Sequence, residues 1–201
     1  MKSRRHILQT LLAGGAGALL VACSPSGKPQ FASIDLTGAD YARDFQLPDQ
    51  DGRQRSLKDF KGKLVVLFFG YTQCPDVCPA TMGELSAAKK LLGADAEKLQ
   101  VLFITVDPER DTASVLKAYM GNFDAGFLAL RPTPEQLVSV AKEYKTYYKK
   151  VEGQTPGSYT MDHSAGCYVY DTEGRVRLYT RFGTGPETLA SDFKLLLGQR
   201  A

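Results

Sequence analysis

Two thiols dominate the chemistry available to this sequence. Cys74 and Cys78 stand in Cys74-Pro75-Asp76-Val77-Cys78-Pro79, separated by three residues. Each Cys precedes a proline, which disfavours the α region. The pair is therefore expected in a loop, with a helix starting at Pro79. Thiols near a helix N-terminus gain from its dipole and free N–H groups, so their pKa is expected to fall. Thiolate is the form needed for both redox attack and metal ligation. At this spacing two sulfurs can close a disulfide or share one ion. A purely structural bridge would gain little from so small a loop. The chain has two histidines, His6 and His163. His6 lies in an N-terminal segment expected to be removed, which leaves His163 as the one imidazole able to join the thiols.

The elements that must position these groups follow from hydrophobic pattern. Leu64 to Gly70 is a continuous apolar run rich in β-branched and aromatic residues, the pattern of a strand buried on both faces. Pro79 to Leu92 carries Met82, Leu85, Ala88, Leu91 and Leu92 at helical spacing. Val101 to Val106 is a second buried strand. Thr112 to Met120 and Thr133 to Tyr144 are predicted helices. Asp111 or Thr112 caps the first, and Thr133 caps the second with Pro134 at its first position. Leu47 to Arg53 holds an Asp-Gly turn between short extended segments. Tyr168–Tyr170 and Val176–Tyr179 form a hairpin across Asp171-Thr172-Glu173-Gly174. Pro186 to Leu197 closes the chain as an amphipathic helix. The order βαβα(α)ββα is that of an α/β, thioredoxin-like fold with an N-terminal extension: a mixed central sheet flanked by helices. Sites in such sheets gather at carboxyl ends of strands, where Cys74 and Asp107 fall. The connection carrying His163 approaches the same end.

Two soft thiolates and one imidazole make a good trigonal site for Cu(I), and can also hold Cu(II). Zinc usually takes a fourth ligand. Asp162 either orients the imidazole or serves as a turn residue. Asp107 is expected to hydrogen-bond the cysteine loop. Cys167 opens a buried strand, where a free thiol behaves as a small apolar residue; the alternative is a third sulfur near the site. Met161 is expected to pack.

Three motifs in order carry a resemblance: Phe69 through Pro79, then Val106-Asp107-Pro108-Glu109-Arg110-Asp111-Thr112, then Asp162-His163-Ser164. Together they resemble the Sco/SenC family over nearly the whole domain, from about Phe45 to Leu197. The resemblance implies a membrane-tethered copper-binding protein that helps assemble the binuclear copper site of cytochrome c oxidase, with its copper-site subunit as partner. It implies copper ligation by Cys74, Cys78 and His163, with Asp162 in support. Such a role is that of a metallochaperone, without catalytic residues. Family members have also been regarded as thiol-disulfide oxidoreductases, in which case Cys74 and Cys78 form a redox disulfide. The spacing, one residue longer than the Cys-x-x-Cys of thioredoxin-like reductases, favours copper. In an oxidising compartment the dithiol must be reduced before it binds Cu(I), so a periplasmic thiol reductant is expected as a second partner. A thioredoxin-superfamily peroxidase is a more distant third reading.

The chain has 201 residues, 25 of them Lys or Arg against 22 Asp or Glu, a formal charge of +3. At 43% hydrophobic and 23% charged, it has an ordinary globular composition, not that of a disordered or multi-span membrane protein. Lys2, Arg4 and Arg5 account for the whole surplus: without them 22 basic residues face 22 acidic ones. With the apolar run from Leu11 to Ala22, residues 1–22 have the form of a signal peptide, too short to span a membrane at about 20 apolar residues. Arg4-Arg5 also loosely resembles a twin-arginine export signal. Leu20-Val21-Ala22-Cys23 resembles a bacterial lipobox in which Cys23 is acylated. Residues 23–40 are then a lipidated tether and 41–201 the copper-binding domain, exported and lipid-anchored on the periplasmic side. A balanced exported domain is not expected to bind nucleic acid. The basic-aromatic stretch Glu143 to Lys150 is instead an exposed strand edge or a docking patch for an acidic partner. Cell fractionation tests the anchor: wild type is expected with membranes and a Cys23→Ala variant in the soluble fraction, whereas a variant that stays with membranes contradicts acylation at Cys23.

Overall fold

The computed structural model describes residues 30–198; the expected signal peptide and Cys23 lie outside them. In chain order the elements are β1 (Ile34–Asp35), β2 (Leu47–Pro48), β3 (Gln54–Arg55), β4 (Leu64–Gly70), α1 (Val77–Leu91), β5 (Leu99–Thr105), α2 (Ala113–Gly121), β6 (Leu128–Leu130), α3 (Pro134–Glu143), β7 (Tyr148–Glu152), β8 (Tyr159–His163), β9 (Cys167–Tyr170), β10 (Val176–Thr180) and α4 (Pro186–Gly198). The main sheet has six strands in the order β1-β10-β9-β4-β5-β6. β4, β5 and β6 run parallel, and β9, β10 and β1 are antiparallel to their neighbours. This is the expected mixed sheet flanked by helices.

β4 and β5 lie inside the sheet rather than at its edge, as their apolar sequences require. All seven residues of each are buried, so both faces must be covered, as in parallel sheets flanked by helices. Phe68 and Phe103 pair across them with ring centroids 6.0 Å apart. α1 packs on α4, α4 also meets β4, and α2 lies beside β6. The helix caps at Thr112 and Thr133 are as the sequence predicts. Thr112 Oγ1 accepts from the Val115 N–H, and Thr133 forms a reciprocal capping box with Gln136 at the head of α3.

Three features differ from expectation. First, the packed structure begins ahead of residue 41, with Phe31, Leu36 and Ala39 against the core. β1 pairs with β10, and the carboxylate of Asp192 on α4 accepts the Ala32 and Ser33 N–H groups at 3.0 and 2.9 Å. Second, α1 starts at Val77 and takes Cys78 into its first turn, despite Pro79. Pro79 fits there because the first helical N–H groups have no intrahelical partner to lose. Burial of the Cys78 side chain offsets the steric bias against helix before proline. Third, β7 and β8 form a separate two-stranded sheet between α3 and β9. β7 is mostly exposed, as the polar stretch around Lys149 and Lys150 suggested, and its partner strand ends at His163.

Asp192 is 1% exposed, so deleting its carboxylate strands two backbone donors. Asp192→Ala is expected to cost about 1–3 kcal/mol in urea unfolding and to speed amide exchange in residues 31–36. An unchanged midpoint with unchanged exchange contradicts this account of the N-terminal strand.

Candidate metal centre

The site is built where the end of β4 meets the start of α1. After Gly70 the chain turns through Tyr71-Thr72-Gln73-Cys74, closed by the Cys74 N–H donating to the Tyr71 carbonyl at 3.3 Å. The loop is held from below by Asp111. Its carboxylate accepts the Thr72 N–H at 3.1 Å and the hydroxyls of Thr72 and Thr105, both at 2.5 Å. Asp111 is fully buried, and that desolvation outweighs the hydrogen bonds and pushes its pKa up. The residue expected in this role was Asp107, but among the described residues the hydrogen bonds of its carboxylate go elsewhere. Its carboxylate takes Arg110 Nε and, at 2.9 Å, the Tyr159 hydroxyl. Asp111, expected as a helix cap beside Thr112, leaves the capping to Thr112. The two acids lie four residues apart in one turn, and sequence alone did not separate their roles.

Cys78 is fully buried and Cys74 half-buried. The Cys78 N–H, in the first turn of α1, donates to Cys74 Sγ at 3.4 Å. The helix N-terminus thus faces a sulfur, as expected. Cys78 departs from the expected fall in thiol pKa: its pKa is raised strongly because burial disfavours its thiolate. Close approach to β4 is allowed by Gly70. A Cβ there would stand 2.9 Å from Cys78 Sγ, 2.6 Å from Phe68 Cε1 and 2.8 Å from Phe103 Cε2. Any side chain would force the two rings or the Cys78 thiol to shift, so this glycine is required by proximity.

His163 reaches the thiols from the far end of β8. Its Nε2 lies 3.4 Å from Cys78 Sγ, and its Nδ1 lies 3.0 Å from the Ser164 carbonyl oxygen. A carbonyl only accepts, so Nδ1 carries the proton and a neutral ring leaves the Nε2 lone pair facing the sulfurs. Phe68 and Tyr71 meet the ring edge-to-face, with centroids 5.8 and 5.9 Å away. Burial depresses the imidazole pKa below its ordinary 6.5, opposed by the Ser164 bond and then by the charge of Asp162. The role foreseen for Asp162 therefore falls to the Ser164 carbonyl. Asp162 is exposed opposite Lys149, and neighbours on a strand point to opposite faces.

Cys74, Cys78 and His163 each present a donor atom within 4.8 Å of the others, and among the described residues this is the group of three or more placed to hold a metal ion. An ion with three bonds of roughly 2.0–2.3 Å separates its donors by about 4 Å, so the set needs little closure. Two sulfurs and one imidazole suit copper. Cys167 lies outside the group. It is buried opposite Phe68 in the sheet, its pKa pushed up to about 12 by desolvation, as suits a small apolar filler. Met161 is buried in the core. Among the described residues no helix is long and apolar enough to cross a membrane.

A family model described as SCO1/SenC matches residues 35–198. The chain is similar to the solved structure of Bradyrhizobium japonicum ScoI with copper bound. The two are 42% identical over 77% of this chain and 98% of that one, with a TM-score of 0.70. It is likewise similar to yeast Sco1 with copper bound, 30% identical over 79% and 88% of the two chains, with a TM-score of 0.71. An SCO2-like protein of Rickettsia prowazekii is 32% identical over 173 residues, 84% of each chain.

The depressed His163 pKa sets a pH dependence. Below pH 6.5 the unfolded ring takes a proton that the metal-free fold resists until lower pH, so the unfolded state binds more protons in that window. Stability is full above pH 6.5 and is lost as pH falls through the folded pKa. The urea midpoint of metal-free protein is expected to drop over that window, and His163→Gln to remove part of the drop. Identical profiles for the two proteins contradict the buried neutral imidazole.

Proposed function

The chain belongs to the SCO1/SenC family, and from that premise we propose that it is a membrane-tethered copper chaperone. Copper is its cargo, and the copper-site subunit of a cytochrome c oxidase is its client. The observation that carries this reading is the convergence of Cys74, Cys78 and His163 from segments 85 residues apart. Copper-bound structures of two similar proteins support the choice of metal.

The residues divide the work of holding the ion. Cys74, the more open sulfur and the one that accepts a helix N–H, takes the entering ion. Cys78 releases a proton on binding, since its thiol is held protonated by burial, so loading is accompanied by proton release. His163 supplies Nε2 without losing a proton, because Nδ1–H is fixed on the Ser164 carbonyl. Three coordination leaves room for a client ligand to bind before the last sulfur departs. Lipid attachment at Cys23 would keep this exchange at the periplasmic membrane surface. The thiols must be reduced first, so a thiol reductant is the second partner.

A second reading is thiol-disulfide exchange with the client's cysteines. It is favoured by the asymmetry of the pair: Cys74 is half-exposed at the helix N-terminus as an attacking thiol would be, while Cys78 is buried as a resolving one.

Copper titration of the reduced protein separates the two. One equivalent is expected to bind tightly, with tight binding lost in His163→Ala, a larger effect than the roughly 10- to 100-fold typical of removing a residue that only supports a ligand, and binding absent after oxidation of the dithiol. Unchanged binding in His163→Ala together with strong disulfide-reductase activity favours the second reading.

A further inference from the structure

His163 is carried by the weakest element near the site. The β7–β8 hairpin is not part of the main sheet, most of its side chains are exposed, and an isolated two-stranded hairpin is marginal at best. Something must hold it against the cysteine loop. At its base the Ser164 N–H donates to the Tyr147 carbonyl and the Tyr147 N–H to the Ser164 hydroxyl, both at 3.0 Å. Those contacts fix the hairpin's mouth, and Met161 in the middle of β8 packs into the core; the polar start of β8 at Tyr159 needs an attachment of its own.

We propose that Arg110 is a positioning residue for the metal centre, clamping the hairpin that bears His163 to the loop that bears Cys74; this rests on the metal-binding reading above. Arg110 is the side chain that reaches all the parts. Its Nη1 donates to the side-chain oxygen of Gln73, the residue before Cys74, at 3.2 Å, and to the backbone carbonyl of Tyr159, the first residue of β8, at 2.9 Å. Its Nε is paired with Asp107. The guanidinium carbon sits 3.5 Å from the centre of the Tyr159 ring and 5.7 Å from that of Tyr71, and Tyr71 stands edge-on to His163. The Tyr159 hydroxyl returns to Asp107, and Lys150 Nζ lies 3.8 Å from the same ring.

The base of the clamp is itself anchored. Arg131 Nε donates to the Asp111 carbonyl and its Nη2 to the Pro108 carbonyl, while Asp111 grips Thr72. One turn, residues 107–112, thus fixes the thiol loop through Asp111 and the hairpin through Arg110. Only a planar fork both stacks on a ring and donates in two directions, so lysine is not an equivalent there. Arg110 Nη2 is buried without a hydrogen-bond partner among the described residues, a cost borne by the remaining contacts.

The test compares Arg110→Ala, Arg110→Lys, His163→Ala and the double variant Arg110→Ala/His163→Ala. Cu(I) is supplied in competition with a chelator, nitrogen hyperfine coupling is read from the Cu(II) form, and amide exchange is followed in metal-free protein. Arg110→Ala is expected to weaken copper binding roughly 10- to 100-fold and to lose the imidazole coupling. It should raise exchange in residues 148–163 about tenfold while β4 and β5 stay protected. Arg110→Lys should not restore the clamp, and it decides the matter if Arg110→Ala unfolds. In the His163→Ala background the arginine change should weaken binding no further. Wild-type affinity and wild-type hairpin exchange in Arg110→Lys and Arg110→Ala overturn the proposal, as do losses that multiply in the double variant. If wild type takes up no copper, the copper reading fails and exchange alone decides: a loosened hairpin upholds the clamp, and an unchanged one overturns it.

Discussion

Cys78 Sγ meets His163 Nε2 at 3.4 Å inside the domain, and the surrounding structure is arranged to make that contact possible. The sulfur needs a bare backbone beside it, which Gly70 provides at the end of β4. It needs the first turn of α1 to start two residues before Pro79, so that its side chain points inward rather than into a loop. The imidazole needs its other nitrogen engaged, which the Ser164 carbonyl does, and two aromatic rings to stop it turning. Without that contact the thiols would be an ordinary dithiol at a helix N-terminus.

Burial gives the centre its electrostatic character. Desolvation raises the Cys78 pKa and lowers that of His163, so both shifts favour uncharged groups in the metal-free protein. Neutral donors cost less to bury than an ion pair would. The site can therefore be packed into the core and still be converted by a cation, which exchanges a thiol proton for a metal–sulfur bond. Cys74, nearer the surface, gives the cation a way in.

The sheet centre and the thiol motif were legible because their signals are strong. Leu64–Gly70 is a continuous apolar run and Val101–Val106 is broken only by Thr105, and Cys-Pro at both ends of a three-residue gap is unusual chemistry. What was not legible was short or polar. β1 is two residues long and gains its place from pairing with β10 and from Asp192, 160 residues from Ala32. The β7–β8 hairpin has few apolar positions, so its pattern suggested only an exposed edge near Lys150, although it delivers His163. Asp107 and Asp111 have identical side chains within one turn, and only the fold decides which faces Thr72 and which faces Arg110. Asp162 and His163 are adjacent on a strand, and alternation sends them to opposite faces. Residue types named the ligands, while long-range contacts chose their supports.

The central claim is that one copper ion is held by two sulfurs and one imidazole nitrogen from Cys74, Cys78 and His163. X-ray absorption at the copper edge of the loaded protein tests it most directly. The account predicts two sulfur scatterers and one nitrogen scatterer at roughly 2.0–2.3 Å, with the nitrogen contribution and its outer imidazole shells lost in His163→Ala. A shell of nitrogen and oxygen alone, or an imidazole contribution that persists in His163→Ala, would contradict it.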